Sequence, residues 1–185
     1  MPLAGKIRAR DLILSESRRI PRGDWLSLAT AAGLSASAPP KRGAFLNLEN
    51  LFLRWLPDGW FHYLPHPDQS RRFAFRRDSG EMVAPGLMFT SGSALPGEIL
   101  GEAGFDASNF LPALILHDWL FDQHFSTAAS GTFEEARNVL LEAGTTIADQ
   151  AGAGKFASDL DALRGLSGST IAWRAWNAGP GNTLP

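Results

Sequence analysis

The run Phe110-Leu111-Pro112-Ala113-Leu114-Ile115-Leu116-His117-Asp118-Trp119-Leu120-Phe121-Asp122-Gln123-His124-Phe125 is apolar almost all the way round a helical wheel. A helix with one apolar stripe lies on a surface, whereas one apolar on nearly every side is enclosed by the rest of its domain. Asp106 or Ser108 can cap it, and Pro112 falls in the first turn, where no amide donor is needed. The pattern predicts a central helix from Phe110 to about Phe125, against which the other elements pack.

Working outward, Thr132 and Glu135 form a capping box that opens a second helix. Its stripe of Ala136, Leu140, Ala143 and Ile147 has core spacing. Ser158 with Asp161 starts a third helix that breaks near Gly165–Gly168, with Ile171, Trp173 and Trp176 beyond the break. On the N-terminal side, Arg72-Phe73-Ala74-Phe75-Arg76 alternates polar and apolar side chains, the period of a half-buried strand. Asp78-Ser79-Gly80 is turn chemistry, and Glu81–Ala84 returns as a second strand, so the two form an antiparallel hairpin. A tight loop, Ser91–Pro96, follows. The expected fold class is α+β: a small antiparallel hairpin or sheet packed on a buried central helix and two further helices.

The first 59 residues read differently. Pro2, Pro21, Pro39-Pro40 and Pro57 punctuate them, leaving room for short helices at Asp24–Ala32 and Leu48–Leu56, the second from Leu48, Phe52 and Trp55 at i, i+4 and i+7. A polar loop would not carry Trp25, Phe45, Phe52 and Trp55, so these four are the candidate partner-binding residues of a docking arm. The expected division is an irregular arm over 1–59, a compact domain over 60–178 and a flexible tail over 179–185.

Composition narrows the function classes. Of 185 residues 44% are hydrophobic and 19% charged, enough for a core and incompatible with disorder throughout. There is no cysteine, which excludes disulfides, a thiolate nucleophile and cysteine-ligated metals. No run approaches the ~18 apolar residues of a membrane span, and Lys6, Arg8, Arg10 and Asp11 interrupt any secretion signal. Residues 1–77 hold 13 Lys/Arg and 6 Asp/Glu, a balance of +7, against 4 and 13, or −9, in residues 78–185. The basic residues stand in scattered pairs, such as Arg18-Arg19 and Arg71-Arg72, with no nucleic-acid-binding motif, so no specific nucleic acid is expected.

Chemistry concentrates at His117-Asp118. Helical spacing sets His124 over His117 and Asp122 beside Asp118, collecting two imidazoles and two carboxylates on one side of a buried helix. One use is functional, with His117 as general base and Asp118 orienting it, or with Asp118 in a metal site completed by residues elsewhere. The other is architectural, a polar network anchoring the helix to the Thr90–Pro96 loop through Thr90, Ser91 and Ser93. His62 and His66 would pair on a metal only in a helix, which Pro65 opposes, and no metal or cofactor is expected.

Residues 60–176 resemble the phage and prophage family known as domain of unknown function 1353. The motifs that carry the likeness are Val83-Ala84-Pro85-Gly86-Leu87-Met88-Phe89-Thr90-Ser91-Gly92-Ser93-Ala94-Leu95-Pro96, His117-Asp118-Trp119-Leu120-Phe121 and Glu135-Ala136-Arg137. The family's aspartates fall at Ser91 and Arg137, its loop serine at Ala94 and its tyrosine at Phe121, leaving only the His-Asp pair. The exchange at Arg137 suggests a salt bridge from Arg137 to Asp118 in place of a preserved active site. The resemblance implies a tailed-phage virion component, made in the host cytoplasm, in the tail or its tip, bound to other virion proteins within a larger assembly. The alternative is a cell-envelope hydrolase acting on lipid or peptidoglycan through His117 and Asp118, or an inactive descendant of one.

Overall fold

The alternation in Arg72–Arg76 resolves into a three-residue strand that seeds the first of two sheets. The computed structural model describes residues 42–57, 61–90, 106–126, 131–152, 154–168 and 170–177. Six strands are described, β1 (Ala44–Leu46), β2 (Phe52–Trp55), β3 (Phe61–Leu64), β4 (Ala74–Arg76), β5 (Met82–Val83) and β6 (Met88–Thr90). Four α-helices follow, α1 (Leu111–Ser126), α2 (Phe133–Gln150), α3 (Ala157–Ser167) and α4 (Thr170–Asn177).

The first sheet has the order β1-β4-β5 and the second β2-β3-β6, every pairing antiparallel. In the first, the expected hairpin is closed by Arg77 N–H donating to the Glu81 carbonyl at 2.8 Å, with Gly80 taking the positive φ of 88° that its turn requires. Phe45, Phe75 and Val83 face each other across its inner side. In the second, Leu53 stands opposite Tyr63 and Tyr63 opposite Met88, again on the inner side.

The central helix forms as its composition dictates. Asp106 caps a short 3-10 turn, Ala107–Phe110, by accepting from Ser108 N–H at 3.0 Å, and α1 continues from it. Ala113, Leu114, Ile115 and Leu116 are buried, and α1 packs between β6 and α2. The α2 capping box is present, Thr132 Oγ1 accepting from Glu135 N–H and Glu135 Oε2 from Thr132 N–H, both at 3.1 Å. Gly144 lets α3 approach closely, since a Cβ there would stand 2.8 Å from Leu163 Cδ2.

Side chains of α2 bind the first sheet. Glu142 accepts from Arg77 Nε at 3.1 Å and from Asp78 N–H at 2.6 Å, clamping the hairpin turn. Thr146 Oγ1 accepts from Gly43 N–H at 3.2 Å, holding the approach to β1. One core runs through both sheets and all four helices, with Tyr63, Phe73, Phe75 and Phe110 wholly enclosed.

Three expectations change. Leu48–Leu56 is not a helix: Leu48–Asn50 is a 3-10 turn and Phe52–Trp55 is β2. Aromatic residues favour a pleated surface, and hydrogen bonds to β3 satisfy a backbone that Pro57 would have prevented from extending as helix. The boundary at residue 59 therefore falls elsewhere, because β1 and β2, both inside the supposed irregular arm, supply strands to the two sheets. Beyond the expected third helix, the residues after the break form a helix of their own, α4. The expected helix Asp24–Ala32 and the tail 179–185 lie outside the described residues.

Candidate functional site

Burial governs the chemistry at the centre of α1. His117 is 2% exposed, and its ring centroid lies 4.6 Å from that of Phe121 one turn on. Neither Nδ1 nor Nε2 meets a hydrogen-bond partner among the described residues. An enclosed imidazolium with no counter-charge is strongly disfavoured, so burial pushes the His117 pKa down to about 3 and the ring is neutral.

Asp118 moves the other way. Lost hydration pushes its carboxyl up to about 7, opposed by the hydrogen bond from Thr90 and reinforced by the nearby charge of Asp122. Thr90 Oγ1 donates to Asp118 Oδ2 at 2.5 Å and thereby fastens β6 to α1. Of the adjacent pair, Asp118 is the group whose proton is exchangeable near neutrality, and His117 is too weak a base for that work.

The two histidines of α1 serve different neighbours. His124 Nε2 donates to the Trp176 carbonyl at 3.1 Å, and its ring stacks on the Trp176 indole at 3.8 Å. Phe121 meets the same indole edge-on at 4.9 Å, so Trp176 holds α4 to α1. The expected collection of imidazoles and carboxylates is thus divided between the interior and the α4 contact. No group of three or more His, Asp or Glu side chains suited to a metal exists among the described residues. His66 is engaged locally, its Nδ1 accepting from Asp68 N–H at 3.0 Å.

The expected salt bridge is absent. Arg137 reaches Glu134 at 3.6 Å, one turn back on α2, and does not pair with Asp118. A carboxylate three residues away on the same helix is within reach, and the packing of α1 on α2 does not offer Asp118 in its place. Of the proposed anchoring network Thr90 alone is seen in place, since Ser91 and Ser93 lie outside the described residues.

Among the partner-binding candidates, Trp25 also lies outside the described residues. Phe45 is partly buried within the chain and packs at 4.9 Å on Phe75 and 6.0 Å on Phe73. Phe52 and Trp55, by contrast, are 52% and 63% exposed. Register places Phe52 with Arg54, His62, Leu64 and Phe89 on the outer side of the second sheet. Leu64 and Phe89 are exposed there as well, and His62 stacks on Phe89 at 4.7 Å. Sequence reading missed Arg54, Leu64 and Phe89 and weighed His62 only as a metal ligand. The signal for His62 and Leu64 was the alternation of Phe61-His62-Tyr63-Leu64, which is obscured because both faces carry large apolar groups.

Comparison with protein-family models, curated proteins and solved structures finds no match to this chain. No helix among the described residues is long and apolar enough to cross a membrane.

Proposed function

We propose that the chain is a structural component of a tailed-phage virion, associated with the tail or its tip, that docks on a neighbouring virion protein through the outer face of its second sheet. The observation that carries this reading is the exposure of Phe52, Leu64 and Phe89 together on that face. Contiguous exposed apolar side chains are characteristic of interaction sites. Arg54 and His62 are the ionisable side chains at its strand positions, and no carboxylate stands among them, so the matching surface is apolar with carboxylates at its rim. The phage setting comes from the motif resemblance over residues 60–176.

The competing reading is a cell-envelope hydrolase or its inactive descendant. An enclosed imidazole pushed to about 3 lacks the basicity and the contact with water that a general base requires, which favours the structural role. The test is to purify particles that encode the chain and measure its stoichiometry, with Leu64→Glu compared in parallel. The expected result is a fixed copy number, lost for Leu64→Glu although that variant keeps its circular dichroism and melting temperature. Absence of the unsubstituted chain from particles refutes the proposal.

A further inference from the structure

Among the described residues β2 is an edge strand of the second sheet. Phe52–Trp55 pairs with β3 on one side, and no backbone group of the strand has a hydrogen-bond partner on the other among the described residues. Unpaired edges are templates for further strands and are ordinarily guarded by lysine, proline, a bulge or a covering element. β2 has one charge, Arg54, no proline, and no other described element packed extensively against it. It also overhangs the core: Trp55 shares the inner face with Leu53 yet remains largely exposed.

We propose that a second copy of this chain adds its own β2 to this edge, antiparallel about a two-fold axis at Leu53, so that the second sheets of the two copies become continuous. An antiparallel edge is complementary to itself, because the same donors and acceptors meet when one strand is turned through half a revolution. Facing residues in such a pair must lie on the same side of the sheet, and this leaves two registers that overlap most of the strand. One sets Arg54 opposite Arg54 of the second copy, a like-charge contact that opposes pairing. The other sets Leu53 opposite Leu53 and each Phe52 ring opposite the guanidinium of the other copy's Arg54, two favourable cation–π contacts. The side chains of β2 thus select both the occupant and its register. The inference is independent of the virion role.

The experiment is sedimentation velocity on the full chain over a concentration series reaching roughly 100 µM, a range suited to contacts below ~1,200 Å². A monomer–dimer equilibrium is expected. Phe52→Arg, at an exposed position, sets arginine against arginine twice and is expected to abolish the dimer with circular dichroism unchanged. Adding Arg54→Glu to it replaces both repulsions by ion pairs and is expected to restore the dimer. Because the chain has no cysteine, Leu53→Cys provides an independent reading of register, with an intermolecular disulfide expected on mild oxidation and none from Arg54→Cys. A chain that stays monomeric throughout overturns the proposal, as does a dimer or larger species that Phe52→Arg leaves intact. A double variant that stays monomeric, or cross-linking through residue 54 in preference to 53, overturns the register.

Discussion

Two adjacent groups shifted in opposite directions predict a cancellation that single substitutions should expose. The ordinary pKa values are 6.5 for His117 and 3.8 for Asp118, and in the folded chain they lie near 3 and 7. Between pH 3.8 and 6.5 the unfolded pair carries one proton, on the imidazole, and the folded pair also carries one, on the carboxyl. Folding moves that proton between neighbours without net uptake, so the pair contributes almost no pH dependence to stability across this window.

Asp118→Asn removes one half. The lowered pKa of His117 then acts alone: its contribution is fully present above 6.5 and is lost as the pH falls toward 3. Stability relative to the unsubstituted chain should drop by about 1.4 kcal/mol for each pH unit of acidification. His117→Leu leaves the raised carboxyl alone, whose contribution is complete below 3.8 and disappears as the pH rises to about 7. Its slope should have the same size and the opposite sign. Urea unfolding at pH values of about 4, 5 and 6, each variant taken as a difference from the unsubstituted chain, cancels all other titrating groups. Two difference slopes of the same sign, or both indistinguishable from zero, would falsify the assignment of a neutral imidazole beside a protonated acid.

Further outcomes follow from the same geometry. At neutral pH His117→Leu should also raise the urea midpoint, because it replaces a buried imidazole without hydrogen-bond partners among the described residues by an apolar side chain of similar size, a gain of about 1–3 kcal/mol. Thr90→Val removes the hydroxyl that holds the Asp118 carboxyl down, so in the His117→Leu background the midpoint of the carboxyl's pH dependence should move upward. Gly43→Ala should destabilise by about 1–3 kcal/mol in thermal unfolding, since the new Cβ would lie 2.5 Å from the Arg76 carbonyl oxygen on the neighbouring strand. Arg77→Leu leaves Glu142 enclosed without its guanidinium and should cost about 3 kcal/mol, whereas exposed Arg164→Leu, whose partner is Asp161, should change the same measurement by less than about 1 kcal/mol.

What the sequence by itself determined was local. The all-round apolar run of α1, the Thr132–Glu135 capping box and the alternation around Ala74–Arg76 each depend on residues a few positions apart, and each appears where its period placed it. The α+β class followed from them, as did the enclosure of His117. Tertiary structure decided whatever depends on a distant partner. Phe52 and Trp55 satisfied a helical spacing as well as a strand's, and β3, with its open backbone groups, settled the matter. Arg137 found a carboxylate three residues away before it could reach one on another helix. The outward face of Phe52, Leu64 and Phe89 exists only because two pairings put three separate segments in register. Periodicity records which side of an element is apolar; only the assembled sheets determine which apolar side is left facing water.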